Sequence, residues 1–209
     1  MATPMSGTQT KAAMKKWKVK TKYRLGWSGW GRPNRKWGPV HGVMIHHTGS
    51  SANGQAYIDG LFKLKGIRYP SLPGPLCHAS TGPDGVVTIG ATKRANHAGA
   101  GPANVLSRVK AENYNSELEF RPQGSSVDGN AHFYGNEVRY NGSKPMTRAQ
   151  YENTVRWAAA ICDFYGWSEK SVIGHREWAP GKPDPGKHNM GKFRKDVAKM
   201  LAGGPSTKL

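Results

Sequence analysis

Apolar positions along the chain fall into runs whose spacing alternates between strand-like and helix-like. Val43, Met44 and Ile45 form a continuous apolar run bounded by Gly42 and by the polar residues from His46 onward, which predicts a short buried strand. Between Gln55 and Lys65, Ala56, Ile58, Leu61 and Phe62 recur at three and four residues and predict a helix, Gly60 notwithstanding. The stretch "LCHASTGPDGVVTIGA" reads as two strands around a Pro83-Asp84-Gly85 turn. "NSELEF" alternates, which places Glu117 and Glu119 on one face of a half-buried strand and Leu118 on the other. Residues 125–144 are polar and glycine-rich and read as a hairpin or an inserted loop without a motif. Thr147 and Gln150 make a capping box ahead of Tyr151, Val155, Ala158, Cys162 and Tyr165, a helical stripe that Gly166 ends. A short strand "SVIGH" and a proline-broken loop follow, and then a helix whose stripe is Met190, Phe193, Val197 and Leu201. This succession predicts one α/β domain over residues 37–202, with a mixed central sheet flanked by helices. The tail 203–209, "GGPSTKL", is expected to be disordered.

Charge changes that picture. Lys and Arg number 31 against 13 Asp and Glu, a formal charge of +18, so the partner class is a polyanion: nucleic acid, anionic membrane or anionic cell wall. Within the basic N-terminal arm 1–36 and up to Trp37, lysines and arginines interleave with Trp17, Tyr23, Trp27 and Trp30 without a helical or strand period. That arm reads either as a solvated wrap on the domain or as an aromatic, cationic strip gripping a polymer of sugars or nucleotides. Cys77 and Cys162 are the only cysteines, too few for a disulfide framework, which points to synthesis in a reducing compartment. Neither a signal-peptide core nor an apolar run of about 18 residues is present, so a chain made in the cytoplasm without membrane insertion is expected.

The candidate chemistry lies at strand ends. One predicted strand ends in His46, another in His175, and Asp184 follows nine residues later. Two imidazoles and a carboxylate are the three protein ligands of a catalytic zinc site, whose fourth position is left for water. Spacing alone leaves two readings open, a metal site and a pair of packed or hydrogen-bonded histidines.

The surrounding text is more specific. "VMIHHTG" together with "GHREWAPGKPDPG" resembles the N-acetylmuramoyl-L-alanine amidases of the zinc amidase and peptidoglycan-recognition superfamily, and among them bacteriophage endolysins. The likeness spans about Trp37 to Leu201, and the second motif carries most of it. It implies that His46, His175 and Asp184 hold Zn2+ in a groove at strand ends, with His47 packing or contacting substrate rather than binding metal. It implies that Lys182 stabilises the oxyanion and that Glu119, with Glu117 as the fallback, is the general base. His97 and Trp178 fall at positions beside the cleft that would contact substrate. Cys77 stands where relatives carry a tyrosine and reads as a small packing residue; Cys162 reads as core. His78 and His188 are competing ligand candidates, with His188 expected to face solvent.

The resemblance therefore implies a hydrolase that cuts the amide between N-acetylmuramic acid and L-alanine with zinc-activated water. Its partners would be bacterial peptidoglycan and the anionic wall polymers, not nucleic acid; a monomer is expected. A chain of this kind would wait in the host cytoplasm until released to the wall at lysis. Two other classes stay open. One is a non-catalytic wall-binding module, which would show a replaced ligand; the other is a nucleic-acid or polymerase-binding protein, which would show base-stacking motifs.

Overall fold

The computed structural model describes residues 2–63, 72–117 and 120–209. In chain order the elements are α1 (Gly7–Lys16), β1 (Thr21–Tyr23), β2 (Gly42–His47), α2 (Gln55–Phe62), β3 (Ala79–Thr81), β4 (Val87–Ile89), β5 (Ala100–Gly101), α3 (Ala103–Ala111), β6 (Val127–Asp128), β7 (Phe133–Val138), α4 (Arg148–Tyr165), β8 (Val172–Gly174), α5 (His175–Trp178) and α6 (Met190–Gly203). Six strands form a mixed sheet in the order β1-β4-β3-β7-β2-β8, and β5 and β6 pair separately. Only the β3–β4 hairpin of that sheet is antiparallel; β7, β2 and β8 run parallel, so their carboxyl ends gather on one edge. Open α/β sheets present ligand sites at that edge.

Strand alternation sorts the two faces. Val43 and Ile45 of β2, Tyr134 and Val138 of β7 and Val172 of β8 join the larger core with α1, α4 and α6. Met44, Phe133 and Ile173 point the other way, onto Val105, Leu106 and Val109 of α3 and onto Trp178. By the same alternation His46 and Glu137 share the second face, because they are ladder partners two residues beyond Met44 and Gly135. The long helix α4 starts as its sequence predicts: Thr147 Oγ1 accepts from the Gln150 N–H at 3.1 Å and Gln150 Oε1 accepts from the Thr147 N–H at 3.1 Å.

Four readings of the pattern are corrected. The N-terminal stretch, lacking a visible period, contains α1, closed by a Ser6–Gln9 capping box, and β1, which lies parallel along β4. Met5, Met14, Trp17 and Val19 are buried in the larger core; α1 buries only Thr10, Ala13 and Met14, a stripe too narrow to stand out among lysines. The polar stretch 125–144 holds β7, a central strand. "NSELEF" forms no strand where it is described: Ser116 and Glu117 are in a turn, and Leu118 and Glu119 lie outside the described residues. The tail is docked, since Arg156 donates to the carbonyls of Pro205 and Thr207, each at 2.7 Å.

Candidate metal centre

Strand β2 carries His46 to the sheet edge, and β8 passes directly into α5, whose first residue is His175. That junction is clamped from below. Glu177, fully buried, accepts the Gly174 N–H at 2.8 Å and pairs with the equally buried Arg194 through both carboxylate oxygens, at 2.9 and 3.0 Å. Arg194 also donates to the carbonyls of Ser116 and Val172. The proline loop that supplies Asp184 is tied to α5 by the Arg176 N–H, 2.8 Å from the Asp184 carbonyl, and by the Arg176 guanidinium on the carbonyls of Gly186 and His188.

Three atoms able to ligate a metal meet there. His46 Nδ1 lies 3.1 Å from His175 Nδ1 and 3.0 Å from Asp184 Oδ2, and His175 Nδ1 is 2.9 Å from the same oxygen. All three residues are buried. His175 Nε2 sits 3.1 Å from the Ala98 carbonyl, which can only accept, so Nε2 carries the proton and Nδ1 keeps its lone pair. Burial, with the neighbouring His175, pushes His46 down to about 4, so its ring is neutral at physiological pH. Burial alone would push Asp184 up, yet with the two imidazoles beside it the balance falls the other way and its carboxyl lies below the ordinary range, a carboxylate at the site. Lone pairs and a carboxylate oxygen packed about 3 Å apart repel unless a cation sits among them. Zinc–ligand bonds of about 2.0–2.2 Å in a tetrahedron set ligand atoms roughly 3.3–3.5 Å apart, close to this triangle. The residues fit a zinc ion.

His175 and Asp184 of this triangle line a groove of about 820 Å³. Glu137, His97, His47, Thr48, Asn96 and Lys182 supply its polar lining, and Tyr57, Leu61 and Leu76 its apolar wall. The site residues predicted from the sequence separate here. His46, His175 and Asp184 come together; His47, His97 and Lys182 line the groove. Trp178 does not contact it: its side chain is fully buried against Phe133, with ring centroids 5.1 Å apart, and glycines at 101 and 129 make room for the indole. It is a core residue. Glu117 is turned away to an exposed ion pair with Lys195 at 2.6 Å, and Glu119 lies outside the described residues. Among the described residues, the carboxylate that lines the groove besides Asp184 is Glu137, ladder partner of His46, in the polar stretch 125–144. Its signal was available: an acid placed late in "FYGNEV", a run that β-branched and aromatic residues bound on both sides.

The remaining candidates are structural. His188 is half-buried rather than turned to solvent; its Nε2 accepts the Met146 N–H at 2.7 Å and its ring stacks on Tyr151. His78 is buried, with Nδ1 accepting the Gly135 N–H at 2.9 Å. Cys77 packs with Leu61 and Phe62, and burial pushes its thiol well up, which leaves it inert.

A family model described as N-acetylmuramoyl-L-alanine amidase matches residues 36–187. The chain belongs to that family. Among solved structures, a selenomethionine derivative of AmpD is 20% identical, covering 86% of this chain and 95% of that one with a TM-score of 0.60. The N-acetylmuramoyl-L-alanine amidase LysC from Clostridium intestinale is 16% identical, covering 87% and 97% with a TM-score of 0.55. The Drosophila peptidoglycan recognition protein SA is 16% identical, covering 84% and 90% with a TM-score of 0.52. At these identities the likeness is one of fold. No curated protein matches the chain.

Proposed function

We propose that this amidase-family chain is a zinc-dependent peptidoglycan hydrolase that cleaves the bond between N-acetylmuramic acid and L-alanine. The observation that carries the reading is the triangle of His46 Nδ1, His175 Nδ1 and Asp184 Oδ2, two of whose members line a groove that also holds Glu137 and Lys182. Zinc bound by those three would polarise the scissile carbonyl and bring the pKa of its water to about 7. Glu137 is the groove carboxylate on the same sheet face as His46, and it accepts the water's proton and returns it to the departing alanine nitrogen. Lys182, exposed on the groove rim, places its ammonium where the carbonyl oxygen gains charge. His47, at the end of β2, contacts the substrate beside the reacting bond.

The lytic role belongs to the same proposal. A chain with a charge of +18 is drawn to wall polymers carrying phosphate and carboxylate, and the endolysin resemblance of its motifs suggests release from the host cytoplasm at lysis. None of the described helices is long and apolar enough to cross a membrane. The test is product analysis by mass spectrometry on purified peptidoglycan, with the native, metal-stripped and His175→Ala proteins. New L-alanine amino termini that require both zinc and His175 establish the reaction. Wall binding without release by a zinc-loaded protein would favour a recognition module instead.

A further inference from the structure

The groove histidine His97 is aimed at a ligand rather than at open space. Its Nε2 lies 2.9 Å from the Phe133 carbonyl oxygen, which can only accept, so that nitrogen carries the ring's proton. Its Nδ1 is then a lone pair, and it lies 2.9 Å from His46 Nε2. His46 must donate there, which leaves His46 Nδ1 unprotonated toward His175 and Asp184. We propose that His97 is a positioning residue that locks His46 in its Nε2–H tautomer and thereby sets the metal affinity of the site, and that the loop bearing it does the same for His175. The inference rests on the metal reading above and adds the residues that enforce it.

Three features build this second layer. A Cβ at Gly135 would lie 2.5 Å from His97 Nδ1 and 2.6 Å from its Cγ, so the ring seats against β7 only because that position has no side chain. Asn130 Oδ1 accepts the backbone N–H groups of His97 at 2.7 Å and Ala98 at 2.8 Å, pinning the loop. Ala98 in turn offers its carbonyl to His175 Nε2 at 3.1 Å. One pinned dipeptide therefore presents an acceptor to each of the two ligand imidazoles. Outer partners of this kind orient the ligand ring, and their loss weakens metal binding by roughly 10–100-fold.

The test uses asparagine and glutamine as geometric probes of the whole chain. In His97→Asn the side-chain oxygen stands near the lost Nδ1 and can still accept from His46; in His97→Gln the amide reaches toward Phe133 and leaves His46 without its acceptor. Zinc affinity, measured by competition with a chromophoric chelator, should fall about 10–100-fold in His97→Gln and in Gly135→Ala, and return to within a few-fold of native in His97→Asn. The visible spectrum of the cobalt-substituted protein should move in the first two variants and not in the third. KM for a soluble muramoyl-peptide at saturating zinc should stay near the native value. Equal zinc affinity in all variants with a raised KM would overturn the proposal and make His97 a substrate contact. A native protein that binds no zinc at all would overturn the metal reading itself, a distinct outcome.

Discussion

Glu137 shows how a reactive side chain is set by the ladder it sits in. Its partner across β2–β7 is His46, so both project to the groove face at the same height. Glu137→Gln is expected to keep zinc binding and to lower kcat by roughly 10²–10⁴-fold, as loss of a general base does, in a soluble muramoyl-peptide assay. Lys182→Met should cost about 10²–10³-fold in kcat with little change in zinc affinity, because in the proposed reaction it removes one positive charge from beside the oxyanion. A third residue-scale prediction concerns pH. Burial pushes His78 down to about 3 from an unfolded value of about 6.5. The unfolded chain therefore binds the extra proton between those values, so stability is full above about pH 6.5 and falls as pH drops through that window. One such group contributes up to about 1.4 kcal/mol per pH unit. His78→Asn, which keeps an acceptor for the Gly135 N–H, should flatten the urea-denaturation midpoint against pH below 6.5 relative to native. At this scale His46, His175 and Asp184 were legible, since donor types at strand ends and a dense motif mark them. Trp178 misled because an aromatic inside a site motif looks the same whether it faces the groove or the core.

At the scale of elements, the β8–α5 junction depends on the buried Glu177–Arg194 pair, in which neither side chain reaches solvent. Arg194→Met should destabilise the fold by about 3–5 kcal/mol in chemical denaturation, because Glu177 is left as an uncompensated buried charge. Replacing both with apolar residues of similar volume should cost less than that single change. The helices α2, α4 and α6 and the β3–β4 hairpin could be read from periodicity, caps and turn residues. Strand β7 could not. Its Gly135 seats His97, its buried Asn136 accepts from Thr81 at 3.0 Å and its Glu137 lines the groove, so a central strand has a surface-like composition.

For the molecule as a whole, the N-terminal basic stretch is part of the body. Trp17 is 2% exposed and its indole donates to Asp163 at 2.9 Å, so Trp17→Ala is expected to cost about 3–5 kcal/mol, read from the urea midpoint. The lysines of that stretch stay outside and feed the net charge of +18. Retention on purified walls should accordingly fall steeply between low and high salt, while turnover of a small soluble substrate should change much less.

The sequence by itself determined the charge and most of the helices and marked His46, His175 and Asp184 as candidate donors, because donor chemistry, net charge and helical period are properties of neighbouring residues. The tertiary structure decided the rest. Whether Glu117, Glu119 or Glu137 stands at the groove, whether Trp178 faces it, and what His97 touches depend on strand order and register. Those follow from contacts between residues tens to more than a hundred positions apart, such as His46 with Asp184 and His97 with Phe133, which no local pattern encodes.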